Sequence, residues 1–170
     1  TPKKNMEKTD YLLVSRFVPY KRINTAIEAF VRSGKKITIV GSGTIDYPDL
    51  GKHQNINFLS GLSDKELRNM YRSSKALVFT SVEDFGLVPV EALSCGTPVV
   101  ALGEGGVIET VQDGINGIFY NKDCPDSLNS AIQKLEDSKI SSDDCRQRAL
   151  DFSTNKFIKN IKSTIGKRAK

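Results

Sequence analysis

Two carboxylates eight positions apart, Glu83 and Glu91, bracket the stretch EDFGLVPVE, directly after the apolar run ALVFT (76–80). Two cations, Arg16 and Lys21, stand five apart in SRFVPYKR (15–22). An arginine fork and a lysine point charge at a strand-to-helix turn suit a diphosphate, whereas carboxylates repel phosphate and accept hydrogen bonds from sugar hydroxyls. Gly41 and Gly43 in VGSG, and a further cluster in LGEGGVIETV (102–111), let backbone approach a ligand closely. Each feature alone has an ordinary explanation. R-x4-K can be two solvated cations, and G-x-G a tight turn. With Pro89 at a first helical position, Glu91 falls at the third, where a carboxylate suits the helix dipole. Glu83 has no comparable structural explanation. It precedes Phe85 and Gly86 at the crest of a loop, and Gly86 would let the N–H groups of Leu87 and Val88 point into a cleft. Two cations, bare turns and two carboxylates in one cleft point to a nucleotide sugar.

Other chemistries lack their residues. The first strand is not followed by G-x-G-x-x-G, and G-x-x-x-x-G-K-[ST] occurs nowhere. No D-x-D ends a strand to hold a divalent ion, and Asp143-Asp144 read as the first turn of a helix. The expectation is therefore no metal and no cofactor, with Arg16 and Lys21 neutralising the diphosphate instead. The one histidine, His53, sits in the polar loop KHQN, which argues against a Ser–His or Cys–His mechanism. Cys95, Cys124 and Cys145 have neither disulfide-frame nor zinc spacing and read as reduced thiols.

These residues need a scaffold. Short β-branched runs recur as YLLVS (11–15), KITIV (36–40), INFL (56–59), ALVFT (76–80), PVVAL (98–102) and GIFY (117–120). Between them lie helical patterns over 23–33, 63–74 and 125–137, the second opened by a Ser63/Glu66 capping box and the third by Pro125. Continuous apolar strands alternating with amphipathic helices predict one α/β domain: a Rossmann-like three-layer fold with a six-stranded, mainly parallel sheet. After about residue 121 the pattern is helical to the end. Ligands of such sheets bind outside the carboxyl ends of the strands.

With 170 residues the chain suffices for one core, and no apolar run approaches a membrane span. The polar start TPKKNMEKTD, without the apolar core of a signal peptide, reads as that of an excised domain. The net charge of +5 belongs to residues 151–170, where six Lys/Arg face Asp151, leaving 19 basic and 19 acidic residues before them. That localisation argues against nucleic acid, whose binding spreads cations over a folded face. Over 153–170 an amphipathic basic helix carries Phe157, Ile158, Ile161 and Ile165 on one stripe. It can be a solvated surface helix, dock on a neighbouring domain or rest on an anionic membrane.

The ordered set SRFVPYK, VGSG, FLSGLSDKEL, EDFGLVPVEALSCGTPVVA and GGVIETVQDGING, covering about residues 10–121, resembles the C-terminal half of the family-four retaining glycosyltransferases. The combination of E-x7-E with R-x4-K carries that resemblance. It implies one half of the GT-B architecture, two facing Rossmann-like domains with the acceptor domain absent here. By position, Arg16 and Lys21 then bind the donor diphosphate, Glu91 the ribose hydroxyls, and Glu83 the transferred sugar near its reacting carbon. The backbone around Phe85, Gly86, Leu87 and Val88 meets sugar and phosphate oxygens, and the nucleobase lies near Leu62. The phrasing is most similar to mannosyltransferases of O-antigen and surface-polysaccharide assembly, which implies GDP-mannose as donor and a glycan or lipid-linked acceptor. UDP-glucose or UDP-N-acetylglucosamine remain open, as do a phosphorylase, an epimerase and a non-enzymatic nucleotide-sugar-binding module. The resemblance implies transfer with retention, without metal, in the cytoplasm, with peripheral attachment at the inner membrane face left open. It also implies a C-terminal helix that crosses back onto the acceptor domain, and an isolated domain that binds donor weakly and does not transfer sugar.

Overall fold

The strands are apolar on both faces because both faces are covered, and their side chains alternate between two cores. The computed structural model describes residues 8–168. The polar start TPKKNME and, in the basic tail, Ala169 and Lys170 lie outside the described residues, as do the side chains of Lys167 and Arg168. In chain order the elements are β1 (Tyr11–Phe17), α1 (Ile23–Ser33), β2 (Ile37–Gly43), β3 (Ile56–Leu59), α2 (Asp64–Ser73) and β4 (Leu77–Phe79). Then come α3 (Leu87–Ser94), β5 (Val99–Leu102), α4 (Val107–Thr110), β6 (Gly117–Tyr120), α5 (Pro125–Asp137), α6 (Ser142–Leu150) and α7 (Thr154–Arg168).

All strand pairings are parallel, in the order β3-β2-β1-β4-β5-β6. Tyr11 and Leu13 of β1 point to one core, shared with Ile27 and Phe30 of α1 and Leu128 and Ile132 of α5. Leu12 points to the other, shared with Tyr71 of α2, Leu93 of α3 and Cys145 of α6. The three-layer Rossmann-like α/β domain is thus as expected, and the sheet is wholly rather than mainly parallel.

Helix ends follow local chemistry. The Ser63/Glu66 capping box forms in both directions at α2. Pro125 opens α5, where its missing N–H would have had no partner anyway. Gly34 closes α1 in the left-handed region, donating to the Phe30 carbonyl at 3.0 Å. Asp144 lies in the first turn of α6, where its N–H donates to the Ser141 hydroxyl. Helix α7 leaves its apolar stripe uncovered: Phe157, Ile158, Ile161 and Ile165 are all exposed. Among the described residues no helix is long and apolar enough to cross a membrane.

The strand order fixes where a ligand can enter. From β1 the chain winds outward through β2 and β3, then returns to the other side of β1 to build β4, β5 and β6. The loops after β1 and β4 therefore leave the sheet in opposite senses, opening a crevice at their carboxyl ends.

Candidate functional site

The loop after β1 tightens into a single 3-10 turn, Pro19–Lys21, started by the fixed φ of Pro19. Arg22 follows in the left-handed region at φ 53°, turning the chain into α1. The loop after β4 reaches across to this turn through two consecutive buried hydroxyls. Thr80 donates to the Lys21 carbonyl at 2.6 Å, and Ser81 donates to Glu83 Oε1 at 2.8 Å. Lys21 Nζ donates to the same Glu83 oxygen at 2.5 Å, and the two side chains are only 14% and 28% exposed. Lysine and glutamate thus form one partly buried pair, each member tied to the loop that follows β4.

This pairing corrects the view that Glu83 lacks a structural explanation. It balances Lys21 and accepts from Ser81. Its backbone is fixed as well, because Gly106 N–H donates to the Glu83 carbonyl at 2.7 Å. A Cβ at Gly106 would lie 2.2 Å from the Asp84 carbonyl oxygen, so only glycine lets the loop after β5 rest on the Glu83 loop. The glycine cluster of LGEGG therefore serves as a backing for the carboxylate loop.

Gly86 holds φ 78° and turns the loop into α3, whose first turn no side chain caps. The helix begins at Leu87, two residues earlier than the proline suggests, so Pro89 is its third residue and Glu91 its fifth. Pro89 is tolerated there because the first helical N–H groups have no intrahelical acceptor. Glu91 consequently lies past the first turn, and the helix-dipole account of it fails. Its structural partner is instead Tyr71, whose hydroxyl donates to Glu91 Oε2 at 2.9 Å. Burial, and then the Glu91 charge, push the Tyr71 phenol well above its ordinary range, keeping it a donor.

Lys21, Glu83, Phe85, Gly86, Leu87 and Val88 line one open cleft of about 470 Å³, at the crevice the strand order creates. Tyr20, Val82 and Asp84 complete its rim, with Lys21 Nζ 5.1 Å from the Tyr20 ring centre. Leu87 and Phe85 expose apolar surface to it. Glu91 lines a separate groove of about 310 Å³ between α2 and α3, with Asp64, Arg68 and Tyr71. Arg16 is exposed near the end of β1, opposite Ser42 of β2, and its guanidinium has no partner among the described residues.

The two glycines of β2 belong to packing. A Cβ at Gly41 would fall 1.8 Å from the Ser15 carbonyl oxygen, and one at Gly43 2.7 Å from that of Phe17. Neither lines either cleft. Leu62 is half-buried against the core beneath α2 and α3. Thr80, Ser81 and Tyr71 were not legible as site residues. Thr80 and Ser81 look like the polar end of a strand, and Tyr71 like part of an apolar helix stripe.

Chemically, the main cleft offers the Lys21 ammonium, the carboxylates of Glu83 and Asp84, and the free N–H groups of a helix start. These suit a ligand carrying both an anion and hydroxyl groups. The carboxylate at Glu91 offers a further hydroxyl acceptor in the neighbouring groove.

Comparison with known proteins agrees with this fold. Residues 1–152 match the family described as Glycosyl transferases group 1. An uncharacterized glycosyltransferase of Methanocaldococcus jannaschii, MJ1607, is 33% identical over 135 residues, covering 73% of this chain and 35% of the relative. The alpha-1,3/1,6-mannosyltransferase ALG2 of Dictyostelium discoideum is 31% identical over 124 residues, covering 70% of this chain and 30% of that protein. Among solved structures, Anabaena HepE in complex with UDP and glucose superposes with a TM-score of 0.74 at 23% identity, over 94% of this chain and 48% of that one. A glycosyltransferase from Rickettsia africae superposes with a TM-score of 0.76 at 20% identity, over 92% of this chain and 47% of that one. The chain thus spans less than half the length of these relatives and forms the Rossmann-like unit found in GT-B glycosyltransferases. With nine-tenths of its length matched, the chain belongs to the group 1 glycosyl transferases.

Proposed function

We propose that this chain is the nucleotide-sugar-binding C-terminal half of a retaining glycosyltransferase. The observation that carries the proposal is the cleft at the β1/β4 crevice, where the Lys21–Glu83 pair faces the uncapped start of α3. In this reading the donor diphosphate lies across the N–H groups of Leu87 and Val88, with Lys21 turned toward it. Arg16, unpaired among the described residues, swings in from the rim of β1 as the second cation. Glu83 then exchanges part of its contact with Lys21 for a hydroxyl of the transferred sugar. Glu91, steadied by the Tyr71 hydroxyl, holds the ribose, and Leu62 lies on the side of the nucleobase.

Retention by double displacement needs a carboxylate on the far face of the sugar. Glu83 is tied to Lys21 and to Ser81, an arrangement suited to holding a hydroxyl rather than attacking carbon. We therefore favour attack from the leaving-group side, with the departing diphosphate taking the acceptor's proton. Lys21 and Arg16 would stabilise the charge developing on that diphosphate without a metal, the principal electrostatic task of the step. The second wall of the cleft and the acceptor, a glycan or lipid-linked sugar, come in this proposal from a further domain. The apolar stripe of α7 would dock on that domain, and this chain alone would bind donor weakly and transfer nothing.

Mannose from GDP-mannose is the donor we favour, supported by the likeness to a named mannosyltransferase. HepE, solved with UDP-glucose, supports a uridine donor as the second reading. Calorimetric titration with GDP, UDP, GDP-mannose and UDP-glucose separates them. Saturable binding with a guanine preference is expected; a uracil preference would favour the second reading, and binding of none of the four would overturn the donor role.

A further inference from the structure

The cleft's most exposed loop is held from an unexpected direction. Phe85, on the cleft wall, meets the ring of Phe152 edge to face, with ring centres 5.6 Å apart at 68°. Phe152 lies in the short connection between α6 and α7, two residues before α7 starts. Its other neighbour is Arg148, whose guanidinium carbon sits 4.9 Å from the ring centre. Arg148 is itself fixed on three sides. Its Nε donates to the Thr110 carbonyl at 3.1 Å, a terminal nitrogen donates to the Glu109 carbonyl, and the other pairs with Asp151 at 3.0 Å. Those two carbonyls belong to the last turn of α4, the helix that follows Gly105 and Gly106. The Glu83–Phe85 loop is therefore clamped twice, its backbone by Gly106 and its side chain by Phe152. Between the clamps and α3 lies only Gly86, a pivot with no side chain to restrain it.

We infer that Phe152, locked by Arg148, is a positioning residue for the Phe85–Val88 segment. By holding the Phe85 ring it keeps the free N–H groups at the start of α3 aimed into the cleft. An edge-to-face ring pair accounts for about a fivefold shift in an equilibrium. The inference rests on the donor-binding reading for its functional consequence, though the clamp itself is a matter of packing alone. It also gives the exposed helix α7 a physical route to the cleft, through Ser153 to Phe152 and through the Lys156–Asp151 pair to Arg148.

The experiment compares the wild-type chain with Phe152→Ala and Phe152→Tyr by amide hydrogen exchange, thermal melting, and titration with GDP and UDP. Phe152→Ala is expected to speed exchange at the Gly106 amide, which donates to the Glu83 carbonyl and is exposed when the Glu83–Phe85 loop loosens, while leaving the amides of Leu12 and Leu77 protected. It should also weaken nucleoside diphosphate binding about fivefold. Phe152→Tyr, which keeps the ring, should restore both. Unchanged exchange at Gly106 would overturn the inference, as would exchange accelerated evenly through β1 and β4. Faster local exchange with unaltered affinity would equally remove the positioning role. If the wild type binds neither GDP nor UDP, the donor reading fails, and exchange with the tyrosine rescue decides the clamp by itself.

Discussion

Removing either member of the Lys21–Glu83 pair should lower stability, but only removal of the lysine should weaken diphosphate binding. The pair is short, 2.5 Å, and 14% and 28% exposed, so it lies between a surface bridge and a buried one. Surface bridges contribute about 0–1 kcal/mol, and breaking a buried pair costs about 3–5 kcal/mol. An intermediate cost of about 1–2 kcal/mol is expected for Lys21→Met or Glu83→Gln, lowering Tm by about 2–8 °C for a domain of this size. Binding separates the two variants. Lys21→Met removes a charged hydrogen bond to phosphate; after allowing for the share held by Glu83, a loss of about 1.4 kcal/mol, or tenfold in Kd for GDP or UDP, is expected. Glu83→Gln removes a negative charge from the cleft and frees Lys21, while the amide oxygen still accepts from Ser81. Bare nucleoside diphosphate should bind as tightly as to wild type, or more so, and discrimination for the attached sugar should fall. Calorimetry with GDP, UDP and their sugar conjugates measures both, and melting of the double variant measures the coupling. If Glu83→Gln weakens bare diphosphate binding as much as Lys21→Met, Glu83 serves to position the lysine and the sugar-hydroxyl role is refuted.

Three further outcomes follow from the packing. Gly41→Ala should cost at least about 3 kcal/mol, since its Cβ would meet the Ser15 carbonyl oxygen at 1.8 Å and backbone cannot yield there; a melt within a degree of wild type would refute that account. Burial would raise the Glu136 carboxyl, but hydrogen bonds from Lys35 and Tyr11 outweigh it and hold the group below its usual range. A depressed carboxylate stabilises the fold above its unfolded pKa and loses that contribution as pH falls through the folded value. Glu136→Gln should therefore flatten the loss of stability below about pH 4.5, read by melting between pH 3 and 6. Burial pushes the Cys145 thiol up to about 12, so at pH 8 iodoacetamide should label Cys95 and Cys124 first and Cys145 only on unfolding; early labelling of Cys145, seen by mass spectrometry, would contradict its burial.

Much of the fold could be read from the chain. The periods of INTAIEAFVRS and PDSLNSAIQKLED give α1 and α5 with the bounds observed, because an amphipathic stripe and a local cap or proline are enough to define a helix. The strands were legible because both their faces are apolar, a pattern that only a covered sheet satisfies. Local reading misplaced the start of α3, where the turn at Gly86 rather than Pro89 sets the helix. At Gly41 and Gly43 local reading offers ligand approach or a tight turn, and the fold adds that Ser15 and Phe17 of β1 stand directly against them.

By itself the sequence determined the α/β class, most element bounds and the residue types available for anion and hydroxyl recognition, because these depend on local periodicity and side-chain chemistry. Which of those residues meet was decided only by the tertiary structure. Lys21 and Glu83 are 62 positions apart and pair because β1 and β4 are neighbours in the sheet. Glu91, eight positions from Glu83, lines a different groove because the body of α3 stands between them. Phe85 finds Phe152 because α6 returns to the face of the sheet that carries α3. Contacts between distant residues depend on strand order and helix packing, which no local pattern specifies.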